Sequence, residues 1–212
     1  MSAERGRFIT FEGGEGVGKT TNIQFLADWL RQRGVDVMTT REPGGTEIAE
    51  LIRDRLLKAH HGERMSDMAE LLLMFAARAQ HLDALIRPAL AAGQWVLCDR
   101  FTDSTWAYQG YGRGLPLSDI AQLKSLVQDD LEPDLTLWLR APLAVGRARV
   151  AGRGELTDRI EAEQDAFFQR VEQGFAQLAD EHARITTIDA ALPLPQVQAA
   201  IVAAVAPLGE LA

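Results

Sequence analysis

Residues 11–21 read FEGGEGVGKTT. Gly13 and Gly18 bracket four residues and are followed at once by Lys19 and Thr20, the spacing of a phosphate-binding loop. The chemistry uses each part. Gly13, Gly14, Gly16 and Gly18 let the backbone turn its N–H groups toward phosphate oxygens, with Val17 and Thr21 completing the cradle. Lys19 can reach the terminal phosphates, the Thr20 hydroxyl can ligate Mg²⁺, and the helix that follows offers its positive N-terminus. The expected ligand is a nucleoside triphosphate with its cation. One residue looks out of place: Glu15 sets a carboxylate where anions should bind.

Two further clusters supply charge. Trp95-Val96-Leu97-Cys98-Asp99-Arg100-Phe101 reads as a buried strand ending in Asp-Arg. Asp99 would emerge beside the loop, where it can help to hold Mg²⁺ directly or through water. Arg100 can grip a phosphate with its planar fork. Arg41-Glu42-Pro43-Gly44-Gly45-Thr46 places a second arginine ahead of a tight loop. Two arginines near one phosphate loop suggest a second anionic ligand, a phosphoryl acceptor.

These residues need a frame that brings them together. Short apolar runs at 8–12, 35–40, 95–99, 135–139 and 185–189 read as strands. Between them, 19–33, 47–57, 66–92, 118–130, 143–151, 161–181 and 194–205 read as helices, with Pro88 a kink or an end in the third. Phe167, Phe168, Val171, Phe175 and Leu178 recur at near-helical spacing and are expected in the core. Gly110, Gly112 and Gly114 alternate with Tyr111 and Arg113, which reads as a mobile loop. Alternating strands and helices predict an α/β fold, a parallel sheet covered on both faces. Ligands of such sheets gather at the carboxyl ends of the strands, where all three clusters fall.

The bulk properties narrow the class. The chain has 212 residues, is 47% hydrophobic and 25% charged, and carries a net charge of −8. That charge disfavours nonspecific binding to nucleic acid polymers or acidic membranes. One cysteine, Cys98, excludes an intrachain disulfide. With no signal-peptide pattern and no membrane-length apolar run, a cytoplasmic location is expected. The four histidines, His60, His61, His81 and His182, show no metal-ligand spacing. A GTPase would need an Asn-Lys-x-Asp motif, yet the only asparagine is Asn22, inside the first helix. A small kinase acting on a nucleotide or nucleoside remains.

The ordered set FEGGEGVGKTT, TREPGGT, LLLMFAARAQH, DRFTDSTWAYQGYGRG, PDLTLWL and RGELTDRIE resembles the bacterial thymidylate kinases over nearly the whole chain. The resemblance implies a P-loop nucleotide-kinase fold with a five-stranded parallel sheet. It implies transfer of the γ-phosphoryl of ATP to dTMP, giving dTDP, with Mg²⁺, in a homodimer. It assigns Phe75 to stack on thymine and Arg78 to bond its O4 edge. Their i, i+3 spacing puts both on one helix face, although position alone would send Phe75 to the core. By the same resemblance Thr105 reads the N3 edge, Tyr108 packs where a ribose 2′-OH would lie, and Gln109 touches base or sugar. Arg41 and Arg100 hold the acceptor phosphate, and Glu15 faces the acceptor's 3′-OH.

Phosphoryl transfer needs cations on the equatorial oxygens. The variable loop positions Gly14, Glu15, Gly16 and Val17 contain none. Family members without a loop arginine supply one from a lid. Residues 147–159 are arginine-rich, and Arg153 lies between Gly152 and Gly154. The expected architecture is therefore one kinase domain over 1–212 with a mobile lid at about 147–159. Arg153 is the expected catalytic cation beside Lys19, with Arg149 and Arg159 as lesser candidates. Two other readings stay open: a kinase for a different small acceptor, and a nucleotide-binding module without turnover.

Overall fold

The structure, a computed structural model, describes residues 5–58, 63–151, 159–160 and 163–209. Five strands form one sheet: β1 (Phe8–Glu12), β2 (Val37–Arg41), β3 (Trp95–Asp99), β4 (Leu135–Arg140) and β5 (Ile185–Asp189). Their order is β2-β3-β1-β4-β5, and every neighbouring pair is parallel. β1 and β3 are short and apolar and are nearly or wholly buried because helices cover both faces. The register aligns the strand ends: Asp99 pairs with Phe11 and Arg41, Glu12 with Trp138, and Arg140 with Asp189. The charged residues that close each strand thus meet along one edge.

The helices are α1 (Lys19–Arg31), α2 (Glu47–Arg53), α3 (Asp67–His81), α4 (Arg87–Ala91), α5 (Thr102–Thr105), α6 (Leu117–Gln128), α7 (Leu143–Ala151), α8 (Asp165–Glu181) and α9 (Leu194–Val205). Thr46 and Ser66 cap α2 and α3, their hydroxyls accepting from Ala49 N and Ala69 N. The apolar faces of α1 and α9 close one side of the sheet through Leu26, Leu30, Val197 and Ile201. On the other side, Leu82, Ile86 and Leu90 pack against Phe8, Val96 and Cys98.

Several expected boundaries move. β2 begins at Val37 and α8 at Asp165, later than the sequence pattern suggests. The span 66–92 is helical but not one regular helix: a wide π turn, Leu82–Ile86, joins α3 to α4, and Pro88, the second residue of α4, removes one N–H from this continuous run. The expected mobile glycine loop is not a loop. Trp106–Gly112 continues α5 as a π-type helix, with Gly110 and Gly112 buried. A Cβ on Gly112 would lie 2.7 Å from the Phe167 ring, and one on Gly174 would lie 2.6 Å from Tyr111. The glycines let this helix and α8 press together rather than bend freely. Phe167, Val171, Phe175 and Leu178 form that core as expected.

Candidate active site

The loop between β1 and α1 has the geometry its glycines suggest. Gly18 precedes α1 in the left-handed conformation, φ 93°, and Val17 points into the core at 5% exposure, so it serves the loop through its backbone. Lys19 Nζ donates to the carbonyls of Gly14 at 2.9 Å and Gly13 at 3.3 Å and lies 4.0 Å from Asp99 Oδ1. Burial holds its pKa below the ordinary lysine value, with Arg100 adding repulsion. Glu15, Gly16, Gly18, Lys19, Thr20 and Thr21 line a polar cavity that Arg41, Asp99 and Arg100 close from the opposite side. Asp99 Oδ1 is buried without a hydrogen-bond partner, and Asp99 and Thr20 both line this cavity. An oxygen donor pair of that kind fits Mg²⁺. Among the described residues no three His, Cys, Asp or Glu side chains converge on a metal.

A second cavity opens next to the first and shares Glu15, Glu42, Arg53 and Arg100 with it. Its far end is built from buried polar groups. Arg78, 3% exposed, donates from Nε to Glu42 at 2.7 Å and from Nη2 to Thr105 Oγ1 at 3.0 Å. Its Nη1 is buried with no partner, a donor left for a ligand. The other oxygen of Glu42 meets His81 Nδ1 at 3.0 Å, and His81 Nε2 meets Thr40 Oγ1 at 2.7 Å. Gln109 donates to buried Glu70 at 2.7 Å, which Arg113 and Arg159 also reach. Tyr108 lies beneath Arg100, its ring centroid 5.0 Å from the guanidinium carbon, and its buried hydroxyl has no partner. Burial pushes that hydroxyl's pKa up.

Glu15 finds its place between the two cavities. Its Oε1 accepts from Arg100 Nη2 at 2.5 Å, and the carboxylate lines both spaces. Burial works against the charge on Arg100, but Tyr108, Glu15, Asp99 and Glu12 together outweigh it and keep the guanidinium firmly protonated. Arg41 is half exposed and bonds both oxygens of Glu50, at 3.0 and 2.9 Å.

The structure therefore brings together Glu15, Lys19, Thr20, Thr21, Arg41, Asp99 and Arg100 at one end, and Arg78, Thr105, Tyr108 and Gln109 at the other. Gly13 and Gly14 receive Lys19. Phe75 is not in the cavity lining, although the Arg78 guanidinium carbon lies 4.9 Å from its ring centroid. It is 2% exposed and packs with Leu71 and Ile120, because its side of α3 faces α6. Met74, one residue earlier, walls the cavity instead. Sequence reasoning also passed over Arg53, Glu42, Ser104 and Phe168, which line the cavity, and His81, which braces Glu42. Glu42 stood beside Arg41 in a quoted motif, so its charge was a usable signal; Arg53 and Phe168 sit in ordinary helical patterns and gave none. Arg153 lies outside the described residues, as do His60 and His61. Arg149 donates to the carbonyls of Gly16 and Ala190, and Arg159 to Leu56 O and Glu70.

Comparison with known proteins agrees with this geometry. The family described as thymidylate kinase matches residues 11–201. The thymidylate kinase of Chromohalobacter salexigens is 57% identical over 199 residues, 93% of this chain and 94% of that protein. That of Teredinibacter turnerae is 56% identical over 194 residues, 91% of this chain and 94% of its own length. The crystal structure of thymidylate kinase from Ehrlichia chaffeensis superposes with a TM-score of 0.75 at 35% identity, covering 94% of this chain and 98% of that one. A phosphate loop and an adjoining polar cavity on a five-stranded parallel sheet, with matches of this extent, settle the assignment: the chain belongs to the thymidylate kinase family.

Proposed function

We propose that the chain transfers the γ-phosphoryl group of ATP to dTMP, giving dTDP and ADP, as its family implies, and that the two joined cavities divide the work. The observation that carries this reading is Glu15 and Arg100, paired at 2.5 Å on the wall common to both cavities. ATP phosphates take the loop N–H groups and Lys19. The acceptor phosphate takes Arg100 and Arg41, and Glu15 receives the sugar 3′-OH. An oxygen of the dTMP phosphate attacks the γ-phosphorus; the bond from that phosphorus to the bridging oxygen breaks, and ADP leaves with the electron pair. The attacking oxygen is already anionic, so no general base is required, and catalysis is positioning and charge stabilisation. Thr20 and Asp99 would hold Mg²⁺, which offsets phosphate charge when bound.

At the other end, the unpartnered Nη1 of Arg78 donates to thymine O4, and Thr105 meets the N3 edge. Cytosine would turn its own amino donor toward Arg78, leaving two donors face to face. Met74 supplies apolar contact to the base, and Tyr108 fills the place of a ribose 2′-OH. Arg153, outside the described residues, is the proposed remaining cation, in the lid expected at about 147–159, of which 147–151 close α7. Support comes from the engagement of its rivals: Arg149 is held by two carbonyls and Arg159 by Glu70.

The reading extends to a homodimer and to a cytoplasmic location. Exposed Ile48, Leu51, Met68, Leu72 and Leu126 on α2, α3 and α6 support a second copy as partner, which sedimentation equilibrium would detect. Among the described residues no helix is long and apolar enough to cross a membrane. ADP release with dTMP, dUMP, dCMP, dGMP and thymidine as acceptors tests the function. dTMP should be preferred; a preference for thymidine would point to a nucleoside kinase, and no turnover with any of them to a binding module.

A further inference from the structure

Glu12 ends β1 with its carboxylate wholly buried, and no step of the transfer described above uses it. Its Oε1 accepts from the backbone N–H groups of Phe101 at 2.8 Å and Ser104 at 3.2 Å. Its Oε2 accepts from the Ser104 hydroxyl at 2.5 Å. Ser104 Oγ in turn accepts from Arg100 Nη1 at 3.2 Å. Arg100 itself has φ 67°, a backbone conformation that only glycine adopts readily, and its N–H donates to Phe11 O at 2.9 Å. Such a conformation persists only when its surroundings over-determine it. Here they do so on both sides of the arginine: Phe11 holds the entry, and Glu12 holds Phe101 and Ser104 at the exit.

We infer that Glu12 is a positioning residue that, through the Ser104 hydroxyl, sets the guanidinium of Arg100 for the acceptor phosphate. The polarity of the chain matters. When Glu12 is ionised, as it is in assays run above pH ~8, Ser104 spends its one hydroxyl proton on it, which leaves a lone pair toward Arg100. A glutamine at position 12 keeps the size and can still accept from the two backbone N–H groups. Its amide NH₂ would then face Ser104 Oγ, so the hydroxyl loses its acceptor and the relay loses its direction. A carboxylate with a purely structural task would tolerate that exchange without a selective effect on one substrate.

The inference rests on the reading that Arg100 grips the acceptor phosphate, and steady-state kinetics on the full chain separate the two. Glu12→Gln and Ser104→Ala should each raise KM for dTMP by about tenfold, with KM for ATP within about twofold, the loss of one charge-assisted hydrogen bond. Ser104→Thr, which keeps the hydroxyl, should restore most of the affinity. Arg100→Lys should raise KM for dTMP, and adding Ser104→Ala to it should cost little more, because the relay acts only through Arg100. If Arg100→Lys weakens dTMP but Glu12→Gln and Ser104→Ala do not, the relay is overturned and the phosphate reading stands. If Arg100→Lys also leaves KM for dTMP unchanged, both fall. Equal rises for ATP and dTMP in Glu12→Gln would make Glu12 a support of the loop as a whole and overturn the inference. Should Glu12→Gln fail to fold, Ser104→Ala in the parent and in the Arg100→Lys background decides: a rise in KM for dTMP in the parent only supports the relay, and equal rises in both overturn it.

Discussion

The two joined cavities hold their arginines in opposite ways. Arg78 is 3% exposed and locked between Glu42 and Thr105, with His81 bracing Glu42 from behind. Arg41, in the phosphate-loop cavity, is 53% exposed and tied to Glu50, itself 38% exposed. The first arrangement is finished before a ligand arrives: its ordering cost is met by folding, and one buried donor stands ready. The second can exchange its partner for a phosphate with little loss, because exposed ion pairs contribute only ~0–1 kcal/mol. Under the proposed reading, selectivity is built into the rigid end and charge is gathered at the adaptable one.

The largest effect that would sharpen this contrast lies at the phosphate end. Arg153→Ala should lower kcat by about 10²–10³-fold, the usual scale for one transition-state contact, with KM for dTMP nearly unchanged; unaltered turnover would move the missing cation elsewhere. At the rigid end, Arg78→Met should cut kcat/KM for dTMP by about 10²-fold and also strand Glu42, costing about 3–5 kcal/mol of stability by chemical denaturation. A loss of activity without a loss of stability would break the picture of a pre-built base site.

Glu12 gives a pH test between the two ends. Burial, with repulsion from Asp103, raises its pKa to about 7 against the opposing pull of Arg100, Ser104 and the Phe101 N–H. The folded state therefore binds this proton more tightly than the unfolded chain. Its contribution to stability should be undiminished below pH ~4.5, fall as the pH rises toward ~7, and level off above, by up to about 3 kcal/mol. Urea unfolding at a series of pH values should show this slope in the parent and its loss in Glu12→Gln; parallel curves would refute it. Smaller effects follow on the shared wall and the rim. Glu15→Gln should raise KM for dTMP by about fivefold to tenfold while ATP binding, read by fluorescence titration, persists. Arg41→Ala should change stability by less than about 0.5 kcal/mol, measured the same way as for Arg78→Met, yet weaken dTMP.

The strands and the phosphate loop were legible in the sequence because their signals are local. Phe8–Glu12 and Trp95–Asp99 are apolar runs with charged ends, and the glycine spacing after the first has few other uses. Three features were not legible. Met74 and Phe75 are adjacent on an apolar helix, and either spacing to Arg78 suits a helix face; only the packing of α3 on α6 decides which one is covered. The helix at 102–112 was hidden because its glycines suggest freedom, whereas here they permit contact with Phe167. The partners of Arg78 were hidden for a third reason: Glu42, Thr105 and His81 lie far apart in the chain and meet only once β2, α3 and α5 converge.

Gly16 has φ 72°, and a Cβ there would lie 2.2 Å from the carbonyl oxygen of Gly146 on α7; one on Gly146 would lie 2.5 Å from Glu15 O. Around Gly14, by contrast, nothing lies within 4 Å of the same atom. The chain's history is therefore channelled. An arginine cannot be added at position 16 by one substitution, since α7 would first have to withdraw, and a change at 146 meets the same wall from the other side. With Val17 committed to the core, position 14 is the only glycine of the variable stretch through which the loop could acquire a cation of its own. Two touching backbones thus close position 16 to any side chain and leave position 14 open.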